Sequence, residues 1–126
     1  MLTGRCNCGE VAFTITGPVA PPSACHCSQC RRQSGHYWAS ANVPDSGLTL
    51  TESKGLRWFQ SSAAARRGFC ATCGAFLFWK HRDDLHTSIA LGALDQPTGL
   101  HIARHIFIAD KGDYYDLNDD LPKRAQ

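Results

Sequence analysis

Hydrophobic and polar residues alternate in several short runs along the chain. Val11, Phe13 and Ile15 occupy every second position of residues 10–16, a repeat that predicts a half-buried strand. Further runs rich in apolar, aromatic or β-branched residues cover 36–43, 48–51, 57–60, 75–80, 87–91 and 104–109. Turns that contain proline or glycine separate many of these runs. The pattern therefore predicts a mainly β fold made of several short antiparallel strands.

Helical character is confined to short segments. Only residues 61–67 and 28–33 have room for a helical turn. The chain has no internal repeat, low-complexity tract or long linker, so its 126 residues predict a single domain with a core over about 3–112. Residues 113–126 form a polar C-terminal tail, and we expect residues 116–126 to be a surface excursion or a frayed end.

The composition excludes several classes of protein. Apolar residues make up 43% of the chain and charged residues 19%, which is typical of a folded globular domain. No apolar run approaches the ~18 residues that a membrane span needs, and the first residues do not resemble a signal peptide. The balance of 13 Lys and Arg against 11 Asp and Glu is too even to predict nucleic-acid binding. We therefore expect a cytoplasmic protein with neither a membrane nor a nucleic acid as its partner.

Cysteine is the unusual component of the sequence. The chain has seven cysteines, an odd number, so disulfide bonds would leave at least one of them unpaired. The seven fall into three clusters. Cysteines separated by one or two residues are typical of zinc sites, in which four ligands surround the metal tetrahedrally. A glycine, Gly9 or Gly74, follows two of the clusters and permits the tight turn that such a site needs. The spacing therefore predicts metal binding.

The seven thiols divide into a group of four and a group of three. The first and third clusters offer two sulfurs each, and together they would close one structural zinc site from Cys6, Cys8, Cys70 and Cys73. The middle cluster offers three sulfurs within six residues, those of Cys25, Cys27 and Cys30. Three protein ligands leave one coordination position for water or substrate, which is the arrangement of a catalytic zinc site.

Other interpretations of the cysteines are open at the level of the sequence. His26 or a distant histidine would supply a fourth ligand to the middle cluster and make both sites structural. A redox-active Cys-x-x-Cys pair lacks the βαβ pattern that usually accompanies it. An iron–sulfur centre is compatible with four cysteines, although the glycine-flanked turns favour zinc. We expect His26 to point away from the neighbouring sulfurs, and the other histidines, among them His105, to be structural or exposed.

Arginines flank all three clusters, as Arg5, Arg31, Arg32, Arg66 and Arg67. Their planar guanidinium groups suit carboxylates and phosphates. If the clusters converge on metal ions, these five guanidinium groups gather near the metal sites. As a group they favour a small anionic substrate. Each one taken singly is explained more simply as compensation for thiolate charge or as solvated surface.

The order of the cysteine motifs resembles that of a known family. Cys-x-Cys-Gly, then Cys-His-Cys-x-x-Cys-Arg, then Phe-Cys-x-x-Cys-Gly is similar to the glutathione-dependent formaldehyde-activating enzymes, a family that includes centromere-protein-V-like proteins. The similarity covers almost the whole chain and extends to Gly4-Arg5-Cys6, Ser61-Ser62, Arg67-Gly68-Phe69-Cys70, Leu94-Asp95 and His105-Ile106-Phe107.

The resemblance implies a zinc-stabilised fold of the β-tent type and an enzymatic activity. The implied zinc ligands are Cys6, Cys8, Cys70 and Cys73 for a structural ion and Cys25, Cys27 and Cys30 for a catalytic ion. The implied reaction joins formaldehyde to glutathione as S-hydroxymethylglutathione, which is a carbon–sulfur lyase reaction in reverse. The partners would then be a small-molecule thiol, with glutathione as co-substrate, and an aldehyde. The alternative is a non-catalytic, zinc-stabilised binding module.

Overall fold

The strands of this protein form two β-sheets around a hydrophobic core. The computed structural model describes residues 1–126. The strands are β1 (Leu2–Arg5), β2 (Ala12–Ile15), β3 (Ser23–Cys25), β4 (Trp38–Pro44), β5 (Leu48–Glu52), β6 (Leu56–Gln60), β7 (Ala65–Cys70), β8 (Phe76–His81), β9 (His86–Ala90) and β10 (Arg104–Ile106). The helices are α1 (Ser28–Ser34) and three short 3-10 turns (Asp45–Gly47, Leu91–Ala93 and Ile108–Asp110). The prediction of a mainly β fold is confirmed.

The larger sheet contains one parallel pair of strands. The smaller sheet has the antiparallel order β1-β2-β5, and the larger has the order β10-β3-β4-β9-β8-β7-β6. β10 and β3 run parallel, with Ile106 opposite Cys25, and this pair departs from the predicted antiparallel arrangement. Parallel strands need a long crossover, and residues 26–103 supply it here. The pairing brings a late strand beside the first cysteine of the middle cluster.

The core lies where β2 of the smaller sheet packs on β8 of the larger one. Phe13 and Ile15 of β2 are almost fully buried, as the two-residue repeat predicts. The Phe13 ring meets Phe78 of β8 edge to face, with the ring centroids 5.3 Å apart. Cys6 and Cys70 belong to the same buried cluster. One set of cysteines is therefore packed directly against the main core.

Helix occurs in one of the two predicted segments. α1 covers residues 28–33 as expected, but residues 61–64 form a turn and residues 65–67 belong to β7. The backbone N–H groups of Ser61 and Ser62 both donate to the carbonyl oxygen of Ala65, which closes a hairpin between β6 and β7. No helix has the length and apolar character of a membrane span, and α1 itself has seven residues.

The C-terminal residues are paired with the edge of the larger sheet. The N–H of His105 donates to the carbonyl of Pro122, and the N–H of Arg124 donates to the carbonyl of His105, both at 2.9 Å. The N–H of Ile108 donates to the carbonyl of Arg124 at 3.0 Å. These bonds satisfy backbone groups that an edge strand would otherwise expose. The expectation of a frayed end is therefore wrong for this part of the tail.

Candidate metal centres

Four cysteines from distant parts of the sequence converge into one cluster, the outer group, which consists of Cys6, Cys8, Cys70 and Cys73. Their sulfur atoms all lie within 4.8 Å of one another. The Cys8 sulfur is 3.7 Å from those of both Cys6 and Cys70. A zinc–sulfur distance of about 2.3 Å gives a tetrahedron with an edge of about 3.8 Å. The sulfur spacing of the outer group therefore fits a four-coordinate zinc ion.

Two tight turns bring the outer sulfurs together. Gly9 follows β1 with a φ of 88°, and Gly74 follows β7 with a φ of 81°. Glycine adopts such left-handed values without steric penalty, as the sequence spacing predicts. The backbone N–H of Ala75 donates to the Cys73 sulfur and lowers the pKa of this thiol to about 6. Donors of this kind favour the thiolate form that metals bind.

The remaining three cysteines form a second cluster, the middle group, which consists of Cys25, Cys27 and Cys30. Cys25 ends β3, Cys27 is the N-cap of α1, and Cys30 lies in the first turn of the helix. The N–H of Cys30 donates to the Cys27 sulfur at 3.3 Å and so caps the helix. The three sulfurs lie within 4.8 Å of one another, and no fourth Cys, His, Asp or Glu joins them. A tetrahedral ion here keeps one position for an external ligand.

Hydrogen bonding makes Cys27 the most acidic thiol of the middle group. The Cys25 and Cys30 thiols donate towards its sulfur and, with the Cys30 N–H and the charge of Arg67, lower the pKa of Cys27 to about 2. The same contacts raise the pKa of Cys25, because they use its thiol in the protonated, donating form. A metal ion needs all three thiolates, so its binding releases protons from this group.

Arg67 of β7 places a buried guanidinium beside the middle group. Its Nη1 donates to the Cys30 sulfur at 3.5 Å and its Nη2 to Oε1 of Gln29 at 3.2 Å. Arg67 is 3% exposed, and its Nε has no hydrogen-bond partner. No carboxylate lies within ion-pair distance of it. Three thiolates with a divalent ion would carry a net charge of −1, which this one guanidinium would balance.

The other flanking arginines do not converge on the sulfurs as a set. Arg5 donates to the carbonyl of Asn7, and Arg66 stacks over the Trp58 ring at 4.1 Å. Only Arg67 donates to a cysteine sulfur. The expectation that all five arginines gather at the metal ligands is therefore too broad, because adjacent residues of a strand such as β7 point to opposite faces of the sheet.

His26 lies between two ligands of the middle group and points away from them, as predicted. It is fully buried. Its Nδ1 is 2.5 Å from the Tyr115 hydroxyl and its Nε2 is 2.9 Å from Nδ1 of His105. Burial lowers the pKa of His26 to about 4, so the ring is neutral at pH 7. Because both ring nitrogens are engaged elsewhere, His26 does not supply a fourth ligand.

Two of the residues that hold His26, Tyr115 and Asp119, come from the polar C-terminal tail, for which the sequence predicts no functional role. Tyr115 contacts His26 directly, and Asp119 contacts it through His105. One feature of the sequence could have indicated that this tail packs on the protein, namely the Tyr114-Tyr115 pair. Two adjacent aromatic residues are unusual in a polar segment.

A cavity of about 490 Å³ opens beside the middle group. Trp38 and Trp79 supply apolar walls, and Arg67 lines it together with Asn42 and Ser88. Ser88 donates its hydroxyl proton to Oδ1 of Asn42 at 2.5 Å. This bond orients the Asn42 amide and leaves its N–H groups available to a bound molecule.

A second groove, of about 530 Å³, adjoins this cavity. The cavity and the groove share Gln29 and Arg67, and the groove adds Arg32, Ser61 and the half-exposed ring of Phe59. Two guanidinium groups in one groove favour carboxylate-bearing molecules. The two spaces together can hold a ligand that reaches from the sulfurs to the surface.

The fold and the two cysteine groups define a class of protein, a mainly β domain with two thiol clusters that can each hold a metal ion. The chain belongs to the glutathione-dependent formaldehyde-activating enzyme family, whose family model matches residues 1–110. The resemblance seen in the cysteine motifs is therefore confirmed.

Individual relatives agree with this assignment. A Sordaria macrospora protein named for the same family is 28% identical over 107 residues, which cover 72% of this chain and 45% of that protein. A Phaeosphaeria nodorum protein of the same name is 34% identical over 82 residues, 64% of this chain and 43% of that protein. The chain thus spans about half the length of these curated relatives. A crystal structure of a Rhodobacter sphaeroides protein matches with a TM-score of 0.63 and 26% identity, over 77% of this chain and 91% of that one.

Proposed function

We propose that this protein is a zinc-dependent carbon–sulfur lyase that forms and cleaves a thiol–aldehyde adduct, with S-hydroxymethylglutathione as the adduct. The observation that carries the proposal is a group of three sulfurs that borders a cavity beside a buried, unpaired guanidinium. The family assignment supports glutathione and formaldehyde as the substrates.

The donor atoms of both groups suit zinc. In this proposal the outer group holds a structural ion and the middle group holds a catalytic ion, because four sulfurs close a tetrahedron and three leave a position open. A zinc ion at such an open site lowers the pKa of a bound thiol and polarises a carbonyl oxygen. All seven cysteines are free thiols, and a reducing, cytoplasmic environment would keep them so.

The residues around the cavity would orient the two reactants. In the forward reaction the thiol sulfur bonds to the aldehyde carbon, the carbonyl π electrons move to oxygen, and the thiol proton ends on that oxygen. The positive charge of Arg67 favours the thiolate form of the incoming sulfur. The amide of Asn42 offers an N–H donor to the oxygen on which charge develops.

The adjoining groove would bind the remainder of the thiol substrate. Glutathione carries two carboxylates, and the exposed guanidinium of Arg32 offers a planar donor for one of them. Because Gln29 and Arg67 line both spaces, a tripeptide with its carboxylates in the groove can direct its sulfur into the cavity.

The proposal is tested by the rate at which formaldehyde and glutathione combine, followed by NMR exchange spectroscopy at fixed reactant concentrations. We expect the zinc-loaded protein to exceed the uncatalysed rate and Cys27→Ser to return it to that rate. Arg67→Lys removes the bidentate fork and should lower kcat/KM about 10- to 100-fold, the effect of one charged hydrogen bond. Arg66→Lys, on the opposite face of β7, is the matched control and should change little.

A rate equal to that of the free reactants, in protein that carries two zinc ions per chain, contradicts the proposal. That outcome leaves the chain as a zinc-stabilised binding module. Equal losses in Arg67→Lys and Arg66→Lys would contradict the role of Arg67 while leaving the lyase activity standing.

A further inference from the structure

A chain of hydrogen bonds leads from the buried His26, beside the middle group, to the C-terminal segment, defined as residues 111–126. It begins at His26, whose ring contacts Tyr115 at 2.5 Å and His105 at 2.9 Å. It continues from Nε2 of His105 to Oδ2 of Asp119 at 2.8 Å. Both imidazoles are almost completely buried. Four polar groups are thus linked in a row that runs from the two buried rings to the exposed Asp119 carboxylate.

With both imidazoles in the neutral form, one assignment of protons satisfies every member of this chain. The Asp119 carboxylate only accepts, and the hydrogen bond from His105 lowers its pKa to about 2, so it is ionised at neutral pH. His105 therefore donates from Nε2 and accepts at Nδ1. His26 donates to it from Nε2 and accepts the hydroxyl proton of Tyr115 at Nδ1. The orientation of the His26 ring is fixed from both sides.

Backbone pairing ties the same segment to the strand that carries the middle group. Residues 122–125 pair with the edge at β10, and β10 pairs with β3. The N–H of His26 donates to the carbonyl of Ile106 at 3.0 Å, next to Cys25. The C-terminal segment therefore holds the loop of the middle group through both backbone and side chains.

We propose that Tyr115 and Asp119 of the C-terminal segment are positioning residues for the middle group, since they lock the His26 ring and thereby the backbone that presents Cys25 and Cys27. This inference rests on the proposed metal site. The family model matches only as far as residue 110, so both residues lie beyond the part of the chain that the match covers. The positioning role of Tyr115 and Asp119 is inferred from this structure alone.

The test measures how fast a coloured chelator removes zinc from the full, zinc-loaded chain. Cys27→Ser identifies the kinetic phase that belongs to the middle group. Tyr115→Phe removes one hydroxyl, and Asp119→Asn removes one charge while keeping an oxygen acceptor. Tyr114→Phe and Asp120→Asn are matched controls, because the Tyr114 hydroxyl bonds only His36 and Asp120 is exposed.

We expect Tyr115→Phe and Asp119→Asn to release zinc from the middle group about three- to tenfold faster, less than the roughly 10- to 100-fold effect of groups that bond a metal ligand directly, because His26 transmits the effect here. Release from the outer group and from both controls should stay unchanged. The thiolate-to-metal absorption of the cobalt-loaded protein should shift in the same two variants. Asp119→Ala should release zinc from the middle group faster than Asp119→Asn does, because the asparagine oxygen still accepts a hydrogen bond from His105.

Three results overturn the inference. Release rates equal to those of the controls show that the two residues do not position the site. Equal acceleration of both phases with a parallel fall in melting temperature shows that the segment only stabilises the fold. If the wild-type chain takes up one zinc ion and Cys27→Ser takes up the same amount, the middle group does not bind zinc. That result contradicts the proposed metal site and, with it, the positioning role.

Discussion

Single residues set the shape of the outer group. Gly74 has a φ of 81°, and no atom lies within 4 Å of the position that a Cβ would occupy there. The space around this glycine is open, so its requirement is conformational rather than steric. A residue with a side chain pays roughly 1–2 kcal/mol in the left-handed region. The turn from Cys70 to Cys73 therefore depends on the absence of a side chain at one position.

We expect Gly74→Ala to lower the free energy of unfolding of the zinc-loaded protein by about 1 kcal/mol. Gly92→Ala is the control, because Gly92 also faces open space but has no left-handed φ. Chemical denaturation followed by circular dichroism measures both. Equal losses in the two variants would refute the conformational explanation.

Pairs of elements hold the two sheets together. Phe78 of β8 is 1% exposed and meets Phe13 of the smaller sheet edge to face, and on its other side it stacks with Trp58 of β6. Phe59, the next residue of β6, is 54% exposed. The same kind of side chain thus has two environments within one sheet.

Truncation of Phe78 measures how much its contacts with Phe13 and Trp58 contribute to the stability of the fold. We expect Phe78→Ala to lower the free energy of unfolding by about 3–5 kcal/mol, the usual loss for a buried phenylalanine. Phe59→Ala should change it by less than about 0.5 kcal/mol. The comparison is made by urea denaturation, and a small effect at Phe78 would mean that the sheets are held together elsewhere.

Elements with a strong side-chain pattern could be predicted, and those held by backbone pairing could not. β2 follows from its alternation, and the aromatic runs predict β4 and β8. β1 and β3 contain few apolar residues, and β7 has two arginines directly after its first residue, so their pattern resembles that of loops. These strands form because neighbours on both sides, or a neighbouring cysteine turn, offer backbone partners.

The composition of the two cysteine groups could be predicted from local spacing, but the residues around them could not. Spacing divides the sulfurs into four and three, and the structure brings together the same two sets. The partners of His26 could not be predicted, because Tyr115 is 89 positions and His105 is 79 positions away from it. No local pattern encodes a hydrogen bond across that separation.

At the scale of the whole molecule, the two cysteine groups differ in reach. The outer group joins the turn after β1 to the hairpin of β7 and β8, and Cys8 and Cys70 are 62 positions apart. The middle group lies within six residues of the chain. An ion in the outer group would therefore restrict the unfolded chain far more than an ion in the middle group.

We expect loss of the outer ion to lower the melting temperature much more than loss of the middle ion. Cys8→Ser, at an exposed ligand, should lower it by on the order of 10 °C or more, and Cys27→Ser by only a few degrees. Each variant should retain one zinc ion per chain. Thermal melts combined with elemental analysis test this, and the reverse order would contradict the division of roles.

The position of the outer ligands along the chain has a consequence for biosynthesis. Cys6, Cys8 and the three middle cysteines leave the ribosome well before Cys70 and Cys73. Five sulfurs are thus available to metal ions while the four-sulfur group is still incomplete. If both groups bind metal as proposed, the nascent chain would have to keep its first two thiols apart from the middle three until the β7–β8 hairpin has been made. Correct metal loading would then depend on timing as well as on affinity.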